Sequence, residues 1–325
     1  MAVYTTIDNP ELHFQAKTYT GNGTAIGSGG QAITLDGDED MQPDWVWIKD
    51  RSDSDRPRMF DVIRGVTKEL DTSDTTGETT LTEGLTTFGS DGFTVGNHEG
   101  VNSNTDSFVA WCWKAGGSGS SNTDGSINTI KTSANTTSGF SINTFTGTQQ
   151  VGTIGHGLGS TPGVLIVKNT AASSDAWYVY HQGLASDPET DYIILNTTAA
   201  KVDYNTPWND TAPTSSVFTV GADGGNNENT STMLAFCFAE KQGFSKFGSY
   251  TGNGHASNGP MVYLGFRPAW LLTKKSDGSD DWRIFDNKRS SSSSNPVDKH
   301  IYPYSSAAEA SSTTDGVPDG IDFLS

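Results

Sequence analysis

The chain has 325 residues, a length that suits two or three domains, and it joins a low charged fraction (18%) to 8 Trp, 15 Phe and 10 Tyr. Aromatics at that density exclude a disordered chain, and a formal net charge of −18 excludes a nucleic-acid partner, because an acidic surface repels phosphate backbones. No apolar run approaches the ~20 residues that a bilayer crossing needs, so no membrane insertion is expected.

The start, Met1-Ala2-Val3-Tyr4-Thr5-Thr6-Ile7-Asp8, has neither a basic n-region nor an apolar h-region. The expectation is a chain made in a cytoplasm without a secretory leader. Residues 1–13 read as an N-terminal arm. Beyond them, Thr, Gly and aromatic residues dominate short apolar runs with no helical periodicity, which predicts strands and turns. The fold class is all-β, in three tandem β-sandwich or jelly-roll-like repeats, the third incomplete.

The first repeat spans 14–116. It opens with Tyr19-Thr20-Gly21-Asn22-Gly23, where Asn and Gly suit a hairpin turn. The acidic loop Asp36-Gly37-Asp38-Glu39-Asp40 follows. Asp36, Asp38 and Asp40 are candidate calcium ligands, since clustered loop oxygens suit a hard cation; without full EF-hand spacing, a solvated acidic turn is the plain alternative. Next comes Pro43-Asp44-Trp45-Val46-Trp47-Ile48-Lys49. Its period of two puts both Trp on one face and Val46 and Ile48 on the other, so the strand is expected to be central and covered on both sides. Met59-Phe60-Asp61 reads as a second strand. Phe93-Thr94-Val95-Gly96 and Ala110-Trp111-Cys112-Trp113 close the repeat, again with two rings on one face and Ala110 with Cys112 on the other.

Residues 117–137 are Gly-, Ser- and Thr-rich and read as a flexible linker. The second repeat, 138–241, carries the same blocks in order: Phe145-Thr146-Gly147, Pro162 to Lys168, Trp177 to His181, Phe218-Thr219-Val220-Gly221 and Ala235-Phe236-Cys237-Phe238. The spacings from Phe93 to Cys112 and from Phe218 to Cys237 are identical, and Leu70 precedes Phe93 as Leu195 precedes Phe218. Cys112 and Cys237 fall at one position of separate repeats, which predicts two small buried hydrophobes and no disulfide. A loop peculiar to this repeat, Tyr204 to Asp210, offers Tyr204 and Trp208 as stacking contacts for a sugar or a protein; a ring folded back on its own core is the alternative.

The third repeat spans 243–325. Only Gln242 separates it from the second, so those two are expected to pack together. It carries Tyr250-Thr251-Gly252-Asn253-Gly254, Pro268 to Lys274, Trp282 to Asp286, and Ser305-Ser306-Ala307-Ala308, which matches Thr197-Thr198-Ala199-Ala200. Asp277, Asp280 and Asp281 form a second candidate calcium loop. The closing blocks have no counterpart before Ser325. Either the chain is truncated there or a neighbouring molecule supplies the missing strands, because a bare sheet edge is a liability.

For catalysis, the repeats act as an internal control. One strand end reads Asp61, His181 and Asp286, with no partner fixed beside it across the three repeats, and no GxSxG occurs. The chain is therefore expected not to be an enzyme. A polysaccharide depolymerase would need a carboxylate pair in a cleft.

The blocks Met41 to Lys49, Phe60 to Val66, Ser90 to Gly96 and Val109 to Gly116, with the Tyr-Thr-Gly-Asn-Gly turns, resemble a repeat domain of tailed-phage virion proteins common among marine phages. The resemblance covers nearly the whole chain. It implies a structural protein on the virion exterior, a tail fibre or tail-associated host-contact protein, assembled in the host cytoplasm and released by lysis. A capsid decoration or head-fibre protein is the near alternative, and a carbohydrate-binding adhesin module the more distant one. The partners implied are other virion proteins, further copies in a symmetric homo-oligomer such as a trimer, and a host surface glycan. No cofactor is expected apart from calcium.

Overall fold

Apolar residues alternating at a period of two set most of the strands. The computed structural model describes residues 4–171, 174–255, 258–290, 296–311, 313–314, 317–318 and 320–324; Met1 to Val3 of the expected arm, and Ser325, lie outside them. The fold is nearly all β. In chain order the strands are β1 (Phe14–Thr20), β2 (Gln31–Thr34), β3 (Trp45–Asp50), β4 (Arg58–Asp61), β5 (Lys68–Asp71), β6 (Thr79–Thr80), β7 (Leu85–Gly89), β8 (Gly92–Val95) and β9 (Ser107–Trp113). They continue as β10 (Thr129–Asn135), β11 (Phe140–Thr146), β12 (Gly152–Gly155), β13 (Pro162–Asn169), β14 (Tyr178–His181), β15 (Asp191–Ile194), β16 (Val202–Asp203), β17 (Val217–Val220) and β18 (Thr232–Ala239). The last part holds β19 (Trp270–Thr273), β20 (Arg283–Asp286), β21 (Lys299–Ile301) and β22 (Ala310–Ser311), then a short hairpin, β23 (Thr313–Thr314) and β24 (Val317–Pro318). Two single-turn helices, α1 (Glu99–Asn102) and α2 (Gly224–Asn227), precede β9 and β18.

One strand order recurs. The first large sheet runs β1-β9-β3-β4-β5-β6, the second β10-β11-β18-β13-β14-β15-β16, and a third, smaller one β19-β20-β21-β22. Among the described residues the named strands pair antiparallel, and the register repeats: Trp45 lies opposite Asp61, Val164 opposite His181, and Trp270 opposite Asp286. The ladder also corrects the sequence alignment at one point. Leu70 lies opposite Met59, whereas Ile193, not Leu195, lies opposite the matching Val179. Both leucines are nonetheless buried in the same core.

Each large sheet buries both faces. On the outer face of the first, Val46, Ile48, Phe60, Phe108, Ala110 and Cys112 meet Ile33, Leu85, Phe93 and Val95 of a small sheet ordered β2-β8-β7. On the outer face of the second, Leu165, Val167, Met233, Ala235 and Cys237 meet Ile154, Phe218 and Val220 of the β12-β17 pair. Each is a sandwich-like pair of layers.

The inner faces of the three sheets converge. Trp45, Trp47, Trp111 and Trp113 of the first sheet, Phe140, Ile166 and Phe236 of the second, and Ile284 and Ile301 of the third all belong to one central core. The Trp45 ring stacks on Trp113 at 4.2 Å and on Phe236 at 4.4 Å, and Trp113 meets Trp270 edge-on at 5.4 Å. The first repeat thus packs against both others. Nor is 117–137 a bare linker: it contains β10, which lines the edge of the second sheet along β11, and it bridges Ser120 to Thr132 and Ile127 to Ile154.

Candidate functional site

The polar groups that the repeats hold in common gather where the three sheets meet, and there they form a ring of matched contacts. Each lies beside the lysine that closes the Pro-to-Lys block. Lys49 and Lys168 are fully buried. Lys49 Nζ donates to its own Asp50 carbonyl at 2.6 Å and to Ser306 O of the third repeat at 3.2 Å. Lys168 Nζ donates to Asp175 O at 2.8 Å and to Thr75 O of the first repeat at 3.0 Å. Burial pulls both ammonium groups down to about 8. Lys274, the third of the set, is half-buried and turns to Lys275 O within its own loop, at 2.6 Å.

Two residues beyond each lysine, a backbone carbonyl accepts an N–H from another repeat. Glu78 N–H donates to Thr170 O at 2.7 Å, Lys201 N–H to Ser276 O at 2.9 Å, and Glu309 N–H to Arg51 O at 3.0 Å. The first repeat thus docks on the second, the second on the third, and the third on the first, closing a head-to-tail ring inside one chain. The sequence block Ser305 to Ala308, matched to Thr197 to Ala200, is the docking segment itself: Ser306 O accepts Lys49 Nζ, and Thr198 O accepts Asp280 N–H at 3.0 Å.

Indole donors reinforce two of the joints. Trp177 Nε1 donates to Asp71 O and Trp282 Nε1 to Ile194 O, each at 3.0 Å. At the joint that closes the ring, Pro57 stands where those tryptophans stand, next to the second strand. Other bonds serve there: Arg51 grips Glu309 through two bonds of 2.8 and 3.0 Å, and Trp111 Nε1 donates to Asp286 Oδ2 at 2.9 Å.

The strand-end position has a fixed partner after all in two repeats. Arg64 Nε donates to Asp61 Oδ2 at 2.5 Å, and Arg289 Nε to Asp286 Oδ2 at 2.6 Å. In both, the arginine N–H also caps the other carboxylate oxygen, at 2.9 and 3.1 Å, and all four side chains are buried. The Arg289 guanidinium lies 5.7 Å over the Trp111 ring. The spacing Phe-Asp-x-x-Arg was readable in Phe60 to Arg64 and Phe285 to Arg289, but His181 and Leu184 break it in the second repeat. There His181 Nδ1 accepts Gly183 N–H at 2.9 Å. A carboxylate held by a buried guanidinium is an architectural ion pair.

A second pair escaped the sequence reading. Asn102 and Asn227 close α1 and α2 and are fully buried. Asn102 Nδ2 donates to Gly96 O at 2.8 Å while its Oδ1 accepts Asn22 N–H at 2.7 Å; Asn227 does the same with Gly221 O at 2.7 Å and Thr148 N–H at 2.9 Å. These carboxamides sew the aromatic-Thr-Gly turn to the Phe-Thr-Val-Gly turn. Their equal spacing from Gly96 and Gly221 was the available signal.

The proposed stacking pair separates. Trp208 is 1% exposed, with Nε1 donating to Asp191 O at 3.0 Å and its ring against Tyr180 at 6.0 Å, so it is a core residue unable to stack on a ligand. Tyr204 stays exposed. The calcium candidates are not gathered either. Asp36, Asp38 and Asp40 point outward, with Asp36 paired to Lys17. Asp277 and Asp280 are exposed, and Asp281 accepts from Tyr304 and lies 3.4 Å from Arg283. Among the described residues, no group of three or more His, Cys, Asp or Glu is placed to hold a metal. Cys112 and Cys237 are free and fully buried, and burial pushes their thiols far up, that of Cys237 to about 12. Two surface concavities, around Thr148 to Gln150 and around Tyr4, Lys241 and Tyr263, contain none of the candidates.

A protein-family model matches residues 9–325. The chain belongs to that family, described as Domain of unknown function (DUF7483). The family match takes in all three sheets, in keeping with the core they share. No curated protein and no solved structure matches the chain.

Proposed function

We propose that the chain is a non-enzymatic structural protein on the exterior of a tailed-phage virion, a tail fibre or tail-associated part that meets the host surface and binds other virion proteins. One observation carries the non-catalytic half of this reading. Polar groups that recur between the repeats hold the architecture: Asp61 and Asp286 are clamped by buried arginines, and Lys49 and Lys168 are tied to backbone carbonyls across repeat boundaries. The virion half rests on the resemblance of the repeat blocks. An acidic, glycine- and threonine-rich β surface suits a particle exposed to salt water, where ions screen its self-repulsion.

Antibody labelling and cryo-electron microscopy of purified particles test the reading. Density for the chain on the tail or its fibres is the expected result. Density on capsid lattice points would replace the tail role by capsid decoration, and absence from the particle would overturn the virion reading altogether.

A further inference from the structure

The second repeat departs from the first along one flank. In the aromatic-Thr-Gly turn, Gly23 N–H donates to Asn102 O at 3.0 Å and Gln149 N–H to Asn227 O at 2.7 Å, so the two residues stand at one position. The backbone there is left-handed in both, with φ 66° at Gly23 and 52° at Gln149. Glycine meets that demand freely, whereas glutamine is strained by it. Strained residues gather at functional sites. The Gln149 side chain lines an open concavity of about 540 Å³ with Thr148, Gln150, Ala222 and Asn229. The carboxamides of Gln149 and Asn229 are exposed and bond to no other group among the described residues. Uncharged carboxamides and a hydroxyl, each able to donate and to accept, suit a ligand rich in hydroxyl groups and without charge.

A second difference adjoins the first. Ala222 leads into α2, whose opening Gly224 replaces Glu99 of the first repeat and leaves the turn bare. A Cβ at Gly224 would stand 3.8 Å from Gln149 Nε2, and one at Gly225 would meet the Tyr178 ring at 2.3 Å. The turn therefore has the concavity on one side and Tyr178 on the other. Tyr178 pairs with Tyr192, their ring centroids 5.1 Å apart. By register these rings replace Arg58 and Glu69, which bond each other at 2.5 Å and are buried in the first repeat. An ion pair closed on itself has become two half-exposed phenols. Burial and the neighbouring Asp223 carboxylate push the Tyr178 hydroxyl up, which sets a hydrogen-bond acceptor at the rim of the aromatic wall.

We infer that this flank of the second repeat binds a neutral glycan, with one sugar ring against Tyr192 and Tyr178 and the next presenting its hydroxyls to Gln149 and Asn229 across the bare turn. A pyranose has an apolar C–H face that packs on an aromatic ring, and equatorial hydroxyls that pair with planar amides. Asp223 and the net charge of −18 oppose sialic and uronic acids, so the charge selects neutral sugars. The inference deepens the host-contact reading and rests on it for the source of the glycan.

The test is a printed array of neutral hexose oligosaccharides, with sialylated and uronic-acid oligosaccharides beside them, probed with the purified chain. Binding to neutral members alone is expected, and the strongest of them is then titrated by calorimetry. Gln149→Gly should keep or raise the melting temperature, because glycine relieves the backbone, yet weaken that oligosaccharide at least about tenfold. Tyr192→Ala should weaken it by as much. No neutral oligosaccharide bound at about 10 mM, binding of the acidic ones alone, or full affinity in Gln149→Gly or in folded Tyr192→Ala would overturn the inference. The two readings fail separately. A chain found on the tail that binds no sugar loses this inference alone, and a sugar-binding chain absent from the particle loses only the virion role.

Discussion

Asn102 and Asn227 show how single buried side chains stand in for sheet pairing. Each bonds one carbonyl and one N–H between two turns. Asn102→Ala should therefore cost about 3 kcal/mol, read from denaturant midpoints, since buried groups left without partners are expensive. The lysines make a pH-dependent claim. With Lys49 and Lys168 drawn to about 8 in the fold, against about 10.4 in an open chain, the unfolded state binds more protons between those values. Their contribution is complete above the unfolded value and declines as pH falls toward 8, so stability should rise with pH from about 8 to about 10. Past that, buried tyrosines reverse the slope. Tyr19 is raised well above its ordinary value by burial, so the unfolded chain ionises first. Urea melts of Lys49→Met and Lys168→Met across pH 7–10 should show a flatter rising limb than the parent.

The strands were largely legible as elements. Period-two alternation in Trp45 to Ile48 and Ala110 to Trp113 assigned each side chain to the face where it lies, because a strand buried on both sides leaves no other reading. What lay beyond reach was what each face meets. The ring bonds run to the backbone carbonyls of Arg51, Thr170 and Ser276, so the side chain at that position is free to differ, and the pattern gives no sign of the bond. β10 was hidden for a related reason: an edge strand of polar residues looks like linker until its partner β11 is known. The two candidate aromatics parted because Trp208 had an inward hydrogen-bond acceptor, Asp191 O, that no local pattern announces. At this scale the turn glycines give a graded test. Gly21→Ala and Gly147→Ala should each lower stability by upward of about 2 kcal/mol, since the new methyl meets a carbonyl of fixed backbone. Thermal melts of the two variants check this.

At the scale of the whole molecule, three repeats share one central core and three joints, so they should melt together. Calorimetry is expected to give a single transition, and two resolved transitions would contradict the shared core. Glu309→Gln weakens the two-bonded grip of Arg51, and it should shift that one transition down by about 1–2 kcal/mol without splitting it.

The ring also dictates an order of events. Glu78 meets Thr170 well before the chain is complete, but Arg51 must wait for Glu309, 258 residues later. Contacts so distant in sequence form slowly. Until the third repeat has been synthesised and has swung back onto the first, the tryptophans of β3 and β9 lack part of their roof. The half-made protein therefore carries its most aggregation-prone surface on the part made first, and a chaperone or a slow translation rate would act in that interval.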